Sequence, residues 1–342
     1  MKLITIELCL QNIVCIFASN VASSGFMQII ILYKEVVFWG AVIIFFSLKK
    51  KFRISNYILP FIFVFFTIGL YFLVGNATVF TKLVCFRQIM TPFIMVIYGK
   101  TLTISNTQLR EYLKFVVKLG LVMSILGLFE RFVLGDEFWR AIHIENYMSN
   151  KGFDQWLYEN GLPGNFYSAD LYSSLGLVRR LVGVMADPLL TAHFLAFCVV
   201  ILLFVEVFNN KSTQYIAVFI MSLTILLTLS KGAILVLCVA YLYKLWRKNK
   251  IVSLMLLIPF VLLIVIIIKQ NVFYTLSAHV GGFASSIFSG TLGEGLGKAG
   301  NFANLYGAAE SDITESYMGA LIGQTGLIGF IVFILAFLYW IN

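Results

Sequence analysis

Charge is what this chain has least of. Asp, Glu, Lys and Arg together make up 12% of its 342 residues, against about 25% in an ordinary soluble domain. With 60% hydrophobic residues and a mean hydropathy of +0.93, there is too little polar surface to cover a water-soluble globule. Proline is scarce at 5 residues, which suits long helices. The apolar runs are continuous and lack the segments of about ten residues in alternating polarity that a membrane barrel needs. The five cysteines (Cys9, Cys15, Cys85, Cys198, Cys238) all fall inside apolar runs. Their spacing fits neither a metal site nor a disulfide framework, so they read as small core residues. His143, His193 and His279 stand alone, without metal-ligand spacing, and read as packed or solvated. No Walker loop, dinucleotide fingerprint or Ser-His-Asp order occurs in a suitable context. What remains is an all-α integral membrane protein, read as one domain over 1–342.

A helix crossing about 30 Å of hydrocarbon needs roughly 20 apolar residues. About ten stretches qualify, near 3–20, 26–48, 56–75, 82–99, 113–134, 184–208, 214–230, 232–247, 251–270 and 316–340. Lys2 and the short apolar stretch after it have some character of a signal peptide. Glu7, Gln11 and Asn12 interrupt that stretch, which favours a polar first helix. The densest basic clusters are Lys49 through Arg53 and Lys244 through Lys250. Basic loops belong on the cytoplasmic side, which places the N-terminus inside and accounts for the net charge of +9 without a nucleic-acid partner. Two longer segments, 135–183 and 271–315, then lie outside. Twelve of the sixteen acidic residues fall in or beside them, from Glu130 to Asp187 and from Glu294 to Glu315. The first outer segment carries Trp139, Tyr147, Trp156, Tyr158, Phe166, Tyr167 and Tyr172. These aromatics either pack at the membrane interface or stack on sugar rings. The second holds Gly281, Gly282, Gly290, Gly293, Gly295, Gly297 and Gly300, and successive backbone N–H groups in such a loop can cradle phosphate.

Ionisable side chains within a membrane span cost at least about 2.5–3.5 kcal/mol at the bilayer centre and point to function. Lys34 and Glu35 lie in the second stretch, Arg87 in the fourth and Glu130 at the outer end of the fifth. Arg179 and Arg180 precede the sixth, Asp187 enters it, and Lys231 sits in the turn before the eighth. At about 1.5 Å per residue, Arg87 is roughly 7 Å and Lys34 roughly 12 Å inside the outer boundary. The basic groups thus gather at the outer rim, against the usual bias. Two readings account for them. They form ion pairs (Lys34 or Arg87 with Glu130 or Asp187), or they bind an anionic head group such as a pyrophosphate. Lys82 and Lys269 read as snorkelling side chains.

Six segments in order resemble the O-antigen polymerase/ligase family of membrane glycosyltransferases, the Wzy and WaaL type. They are Cys85-Phe86-Arg87-Gln88 followed by Pro92-Phe93; Ser124 through Glu130; and Arg180-Leu181-Val182-Gly183 with Asp187-Pro188. The others are Leu227-Thr228-Leu229-Ser230-Lys231-Gly232; Gly293 through Gly297; and Glu315-Ser316-Tyr317 with Gly326-Leu327-Ile328-Gly329. Two departures stand out. Lys231 holds a place where that family usually carries Arg. Glu315-Ser316 stands where its ligases carry His followed by Asn or Ser, which favours the polymerase branch.

The resemblance implies glycosyl transfer on the outer face of a bacterial inner membrane. The donor would be an undecaprenyl-pyrophosphate-linked oligosaccharide, and chain-length regulator and flippase proteins would be partners. The leaving pyrophosphate needs cations aimed at its developing charge. Arg87, Arg180 and Lys231 are the candidates, with Lys34 and Arg179 behind them and Gly295, Gly297 and Glu130 lining the substrate. No metal or cofactor is implied. The acceptor hydroxyl needs a general base, with Glu315 first and Asp312 and Glu310 next. A carboxylate at a helix N-terminus is also favoured by about 0.3–1 kcal/mol for purely structural reasons. The alternatives are a ligase that moves finished polymer to another acceptor, and a flippase of lipid-linked sugar. A flippase would carry its basic residues at mid-bilayer, and an inverted-repeat transporter would show matched broken helices.

Overall fold

The computed structural model describes residues 2–21, 58–101, 104–150, 157–168 except 159, 177–253, 292–300 and 317–341, with a few single positions besides. They fall into two compact units, one drawn from 1–48 and 104–264 and the other from 49–103 and 265–342.

The first unit begins with α1 (Lys2–Ser19) and continues with α4 (Asn106–Phe129). A π-turn, Glu130–Leu134, leads from α4 into α5 (Gly135–Ala141), which is followed by α6 (Ile144–Asn150). A short antiparallel pair, β1 (Tyr167–Ser168) and β2 (Val178–Arg179), sets Tyr167 opposite Arg179. Then come α7 (Pro188–Phe204), α8 (Lys211–Leu227) and α9 (Lys231–Lys248). Its main core is the contact of α4, α7, α8 and α9 through Val117, Leu195, Cys198, Val199, Met221, Ile225 and Leu237. Small residues set the spacing. A Cβ on Gly120 would sit 2.7 Å from the Cys198 sulfur, so α4 and α7 close up at that point.

Caps fix the helix ends. The expected fifth stretch, 113–134, starts seven residues earlier, at Asn106. Ser105 and Gln108 form a reciprocal capping box there that hydropathy cannot see. From Asn106 to Ala141 the chain stays helical for 36 residues, about 54 Å at about 1.5 Å per residue, far more than one crossing. Its far end, with Asp136, Glu137 and Arg140, is therefore polar helix beyond the apolar run. Asp187 caps α7 by accepting from the Leu189 and Leu190 N–H groups at 2.7 and 3.0 Å, with Pro188 at the first helical position. Several polar residues of α1 face inward. Gln11 is buried, Asn12 donates to the Met185 carbonyl and accepts from the Tyr147 hydroxyl, and Thr5 bonds Tyr112.

The second unit holds α2 (Ile58–Leu70), α3 (Val79–Thr101) and α10 (Tyr317–Ile341). Phe93 is fully buried, with ring centroids 4.8, 4.7 and 5.3 Å from Phe333, Phe337 and Trp340. Helix α10 is broken at Gly326, whose φ of 63° and ψ of −177° are not helical. The residues of the 292–300 loop pack into that break.

Among the described residues, four helices are long and apolar enough to cross a membrane: α1, α3, the run from α4 to α5, and α10. Phe63, Phe66, Tyr215, Phe219 and Ile331 all point outward, each more than half exposed. This is the surface of a mostly helical membrane protein. The expected span at 26–48 and most of 251–270 lie outside the described residues.

Candidate functional site

The first unit carries a buried ionic cluster built on the π-turn. Glu130 is 4% exposed. Its Oε1 accepts from the Trp139 indole and from Arg179 Nη2, each at 2.7 Å. Its Oε2 accepts the backbone N–H groups of Val182 and Gly183, each at 3.2 Å. Arg179 also gives Nε to the Asp136 carboxylate and Nη1 to the Arg180 carbonyl. Its guanidinium lies 5.3 Å from the Phe166 ring centroid, and Phe166 meets Trp139 edge-on at 5.3 Å. The Tyr167 hydroxyl donates to Asp136 at 2.7 Å. Burial pushes the Tyr167 phenol up, to about 12, and its bond to the Asp136 carboxylate and that carboxylate's charge push the same way. Burial raises Asp136 too, but the bonds from Tyr167 and Arg179 and the guanidinium charge outweigh it and leave its carboxyl below the usual value.

This geometry gives the expected acidic residues definite places. Glu130 pairs with Arg179, and Asp187 is a helix cap that also accepts from Asn165 at 3.4 Å. Arg179 and Glu130, expected to line the substrate, are engaged within the fold: every nitrogen of that guanidinium already donates inside the chain. Trp139, Tyr147 and Phe166 likewise pack in a core with Cys15 and Ile16, so this part of the aromatic segment is a folded layer. Trp156 and Tyr172 lie outside the described residues.

Arg180, the neighbour of Arg179, points to another element. Its Nε donates to the Thr228 carbonyl at 2.7 Å and its Nη1 to the Asn165 carbonyl at 3.4 Å. The Leu181 N–H donates to the Leu227 carbonyl at 2.9 Å. The segment Arg180–Gly183 is thereby joined to the turn Leu227–Lys231. Leu229 takes a left-handed φ of 53° in that turn, a costly conformation for a branched residue. Thr228 Oγ1 braces it by donating to Ile225 and accepting from the Ser230 N–H. Lys231 is the first residue of α9 and half-buried. Gly232 packs on α7, where a Cβ would meet His193 Nε2 at 3.3 Å.

In the second unit Arg87 is half-buried on α3 and its carbonyl accepts from Thr91 at 2.7 Å. The glycine loop is bound by its own chain. Glu294, Gly295 and Leu296 give their N–H groups to Gly323, Gln324 and Tyr71, and Gly297 gives its own to the Gln324 side chain. The expected phosphate cradle of Gly295 and Gly297 is thus a plug that satisfies carbonyls freed by the break in α10. A Cβ on Gly295 would sit 2.3 Å from the Val74 carbonyl oxygen, at a φ of 99°. Lys82 does not snorkel. It is 7% exposed and donates to the Phe72, Val74 and Gly75 carbonyls at 2.8–3.0 Å, closing the C-terminal end of α2. Lys34, Glu310, Asp312 and Glu315 lie outside the described residues.

Sequence reasoning named the two arginines, Glu130 and Lys231 but missed Asp136, Trp139 and Tyr167 as their partners. The one available signal was an indole and a second carboxylate within nine residues of Glu130. No family model, curated protein or solved structure matches the chain.

Proposed function

We propose that this chain is a metal-independent membrane glycosyltransferase that polymerises polysaccharide repeat units. It moves glycan from undecaprenyl pyrophosphate to a lipid-linked repeat unit on the outer face of a bacterial cell membrane, through about ten spans with the N-terminus inside. The observation that carries this reading is the bond between Arg180 and Thr228. It joins two of the six family-like segments through residues 48 apart in the chain, just ahead of α7 and α9. Arg180 and Lys231 then serve the developing charge of the leaving pyrophosphate, with Arg87 a further cation implied by the resemblance. Glu315 or Asp312 takes the acceptor proton, and a carboxylate at 315 favours polymerase over ligase.

The test is deletion of the gene and complementation with wild type, Arg180→Ala, Arg87→Ala or Glu315→Ala, reading surface polysaccharide length. A single repeat unit on the normal acceptor, in the deletion and in each well-expressed variant, is the expected result. Long polymer accumulating on the polyprenyl carrier would make the protein a ligase. Single lipid-linked units held on the cytoplasmic leaflet would make it a flippase.

A further inference from the structure

Arg131 lies in the π-turn that ends α4, and the fold gives its side chain no counter-charge. Among the described residues it has no hydrogen bond or ion pair, and its Nε is buried without an acceptor. Arg110, Arg140, Arg179 and Arg180 each donate to an acceptor of the chain. Glu130, the adjacent residue, is taken by Arg179. Arg131 follows by one turn Gly127, where a Cβ would meet Leu181 at 3.0 Å, so its stem starts on the packed side of the helix. Its Cζ is 5.7 Å from the ring centroid of Phe132, a residue that is 67% exposed. The guanidinium therefore sits at the edge of the packed face, with Nε inside and an outward-facing ring beside it.

The outward face of α4 sets the depth of this charge. Lys118 is exposed, and Val122, Ile125, Leu126 and Phe129 follow it, all exposed apolar residues. Phe132 and Val133 end that apolar surface, and Asp136, Glu137 and Arg140 come next. Lys118 and Arg131 are 13 residues apart, about 20 Å at about 1.5 Å per residue. Long basic stems at either end reach the head groups that border a hydrocarbon core of about 30 Å. A charge held against apolar surface needs a partner, and at head-group depth the abundant anion is phosphate. A guanidinium binds phosphate oxygens bidentately. We propose that Arg131 binds the phosphate of a membrane lipid, whose chains lie along the apolar face of α4. The phosphate belongs to a phospholipid or to a polyprenyl carrier, and both present the same chemistry. This role goes beyond the proposed reaction and stands without it.

The experiment titrates the full chain in mild detergent with phosphatidylglycerol, undecaprenyl pyrophosphate or diacylglycerol, which lacks a phosphate, and counts bound lipid by native mass spectrometry. Wild type is expected to hold a phosphate-bearing lipid far better than diacylglycerol. Arg131→Gln should weaken that binding by on the order of tenfold or more and leave diacylglycerol unchanged, with Arg131→Lys in between. Because the side chain gives up no bond within the fold, the thermal midpoint of Arg131→Gln should stay close to that of wild type. Displacement of phosphatidylglycerol by undecaprenyl pyrophosphate would make the carrier the occupant, and persistence of phosphatidylglycerol would make it a phospholipid; either upholds a lipid-phosphate site. A phosphatidylglycerol with a photoactivatable head group, added at one equivalent to wild type, should label the tryptic peptide Phe132–Arg140, which tests the site without any variant. If Arg131→Gln binds both phosphate lipids as wild type does, if wild type prefers neither to diacylglycerol, or if the label falls elsewhere, the proposal is overturned.

Discussion

Removing the Glu130 carboxylate should be among the most damaging single changes in the first unit. The side chain is 5% exposed and its Arg179 partner 11%, so neither charge has water to fall back on. In Glu130→Ala, Arg179 keeps Asp136 and the Arg180 carbonyl but loses the more deeply buried of its two carboxylates. The Trp139 indole and the Val182 and Gly183 N–H groups lose their acceptor at the same time. Breaking a buried ion pair from one side costs about 3–5 kcal/mol, and each orphaned buried donor adds about 1–3 kcal/mol where water cannot reach it. The charge term alone corresponds to at least a hundredfold in the unfolding equilibrium, at about 1.4 kcal/mol per decade. For a unit of this size it should lower the thermal midpoint by on the order of 10 °C. Glu130→Gln should do little better, because an amide that keeps its oxygen toward Arg179 turns its NH2 against two backbone donors. Replacing both partners with leucine should cost less than the sum of the single changes, since the orphaned charge is gone. Detergent-purified protein followed by intrinsic tryptophan emission would report each of these variants. A midpoint shift under about 2 °C for Glu130→Ala would refute the reasoning, since one kcal/mol alone moves a domain of this size by about that much.

Lys82→Met should strip three carbonyls of their donor and cost about 1.5–3 kcal/mol, and Lys82→Arg should not rescue it, because a planar fork cannot replace a three-way ammonium; thermal unfolding checks both. Gly295→Ala puts a Cβ 2.3 Å from the Val74 carbonyl oxygen at a positive φ, so folded yield on size-exclusion chromatography should collapse, whereas Gly135→Ala, which has open space around it, should bear only the cost of its φ of 61°. The Asp136–Tyr167 contact should make stability pH-dependent at both ends. The lowered Asp136 carboxyl contributes stability that is present above the ordinary carboxylate range and is lost as pH falls through its folded value. The raised Tyr167 phenol contributes stability that is full below its ordinary value and is lost as pH climbs through about 12. Tyr167→Phe should flatten the alkaline limb in a pH series of thermal midpoints; an unchanged limb would refute that assignment.

The helices were legible because continuous apolar runs leave little else for the backbone to do in lipid. Their ends were less so: α4 begins where Ser105 and Gln108 cap it, outside the apolar run. The charges were found by the rule that they are expensive, but the same rule is silent on partners. Glu130 meets Arg179 across 49 residues of chain, a closure set by the β1–β2 register. Lys82 looked like a side chain reaching for the surface because sequence shows its depth but not the three carbonyls at the end of α2. The glycine loop announced close backbone approach, and the approach is real, but what comes close is the chain itself.

The pair Arg179-Arg180 shows why such a site resists reading from sequence. Successive residues of an extended segment point to opposite sides, so two adjacent arginines cannot serve one environment. Arg179, paired across the ladder with Tyr167, turns toward Glu130 and Asp136 and is consumed by the fold. Arg180 turns the other way and reaches the Thr228 carbonyl, three residues before Lys231 in the chain. A one-residue slip of β2 would exchange the two roles, and nothing in the side chains themselves opposes it. The register is held by Glu130, whose Oε2 takes the N–H groups of Val182 and Gly183 just beyond, and by the Leu181 bond to Leu227. The buried carboxylate therefore does more than balance a charge. It fixes which arginine is structural and which is left beside the head of α9, where the proposed chemistry needs a cation.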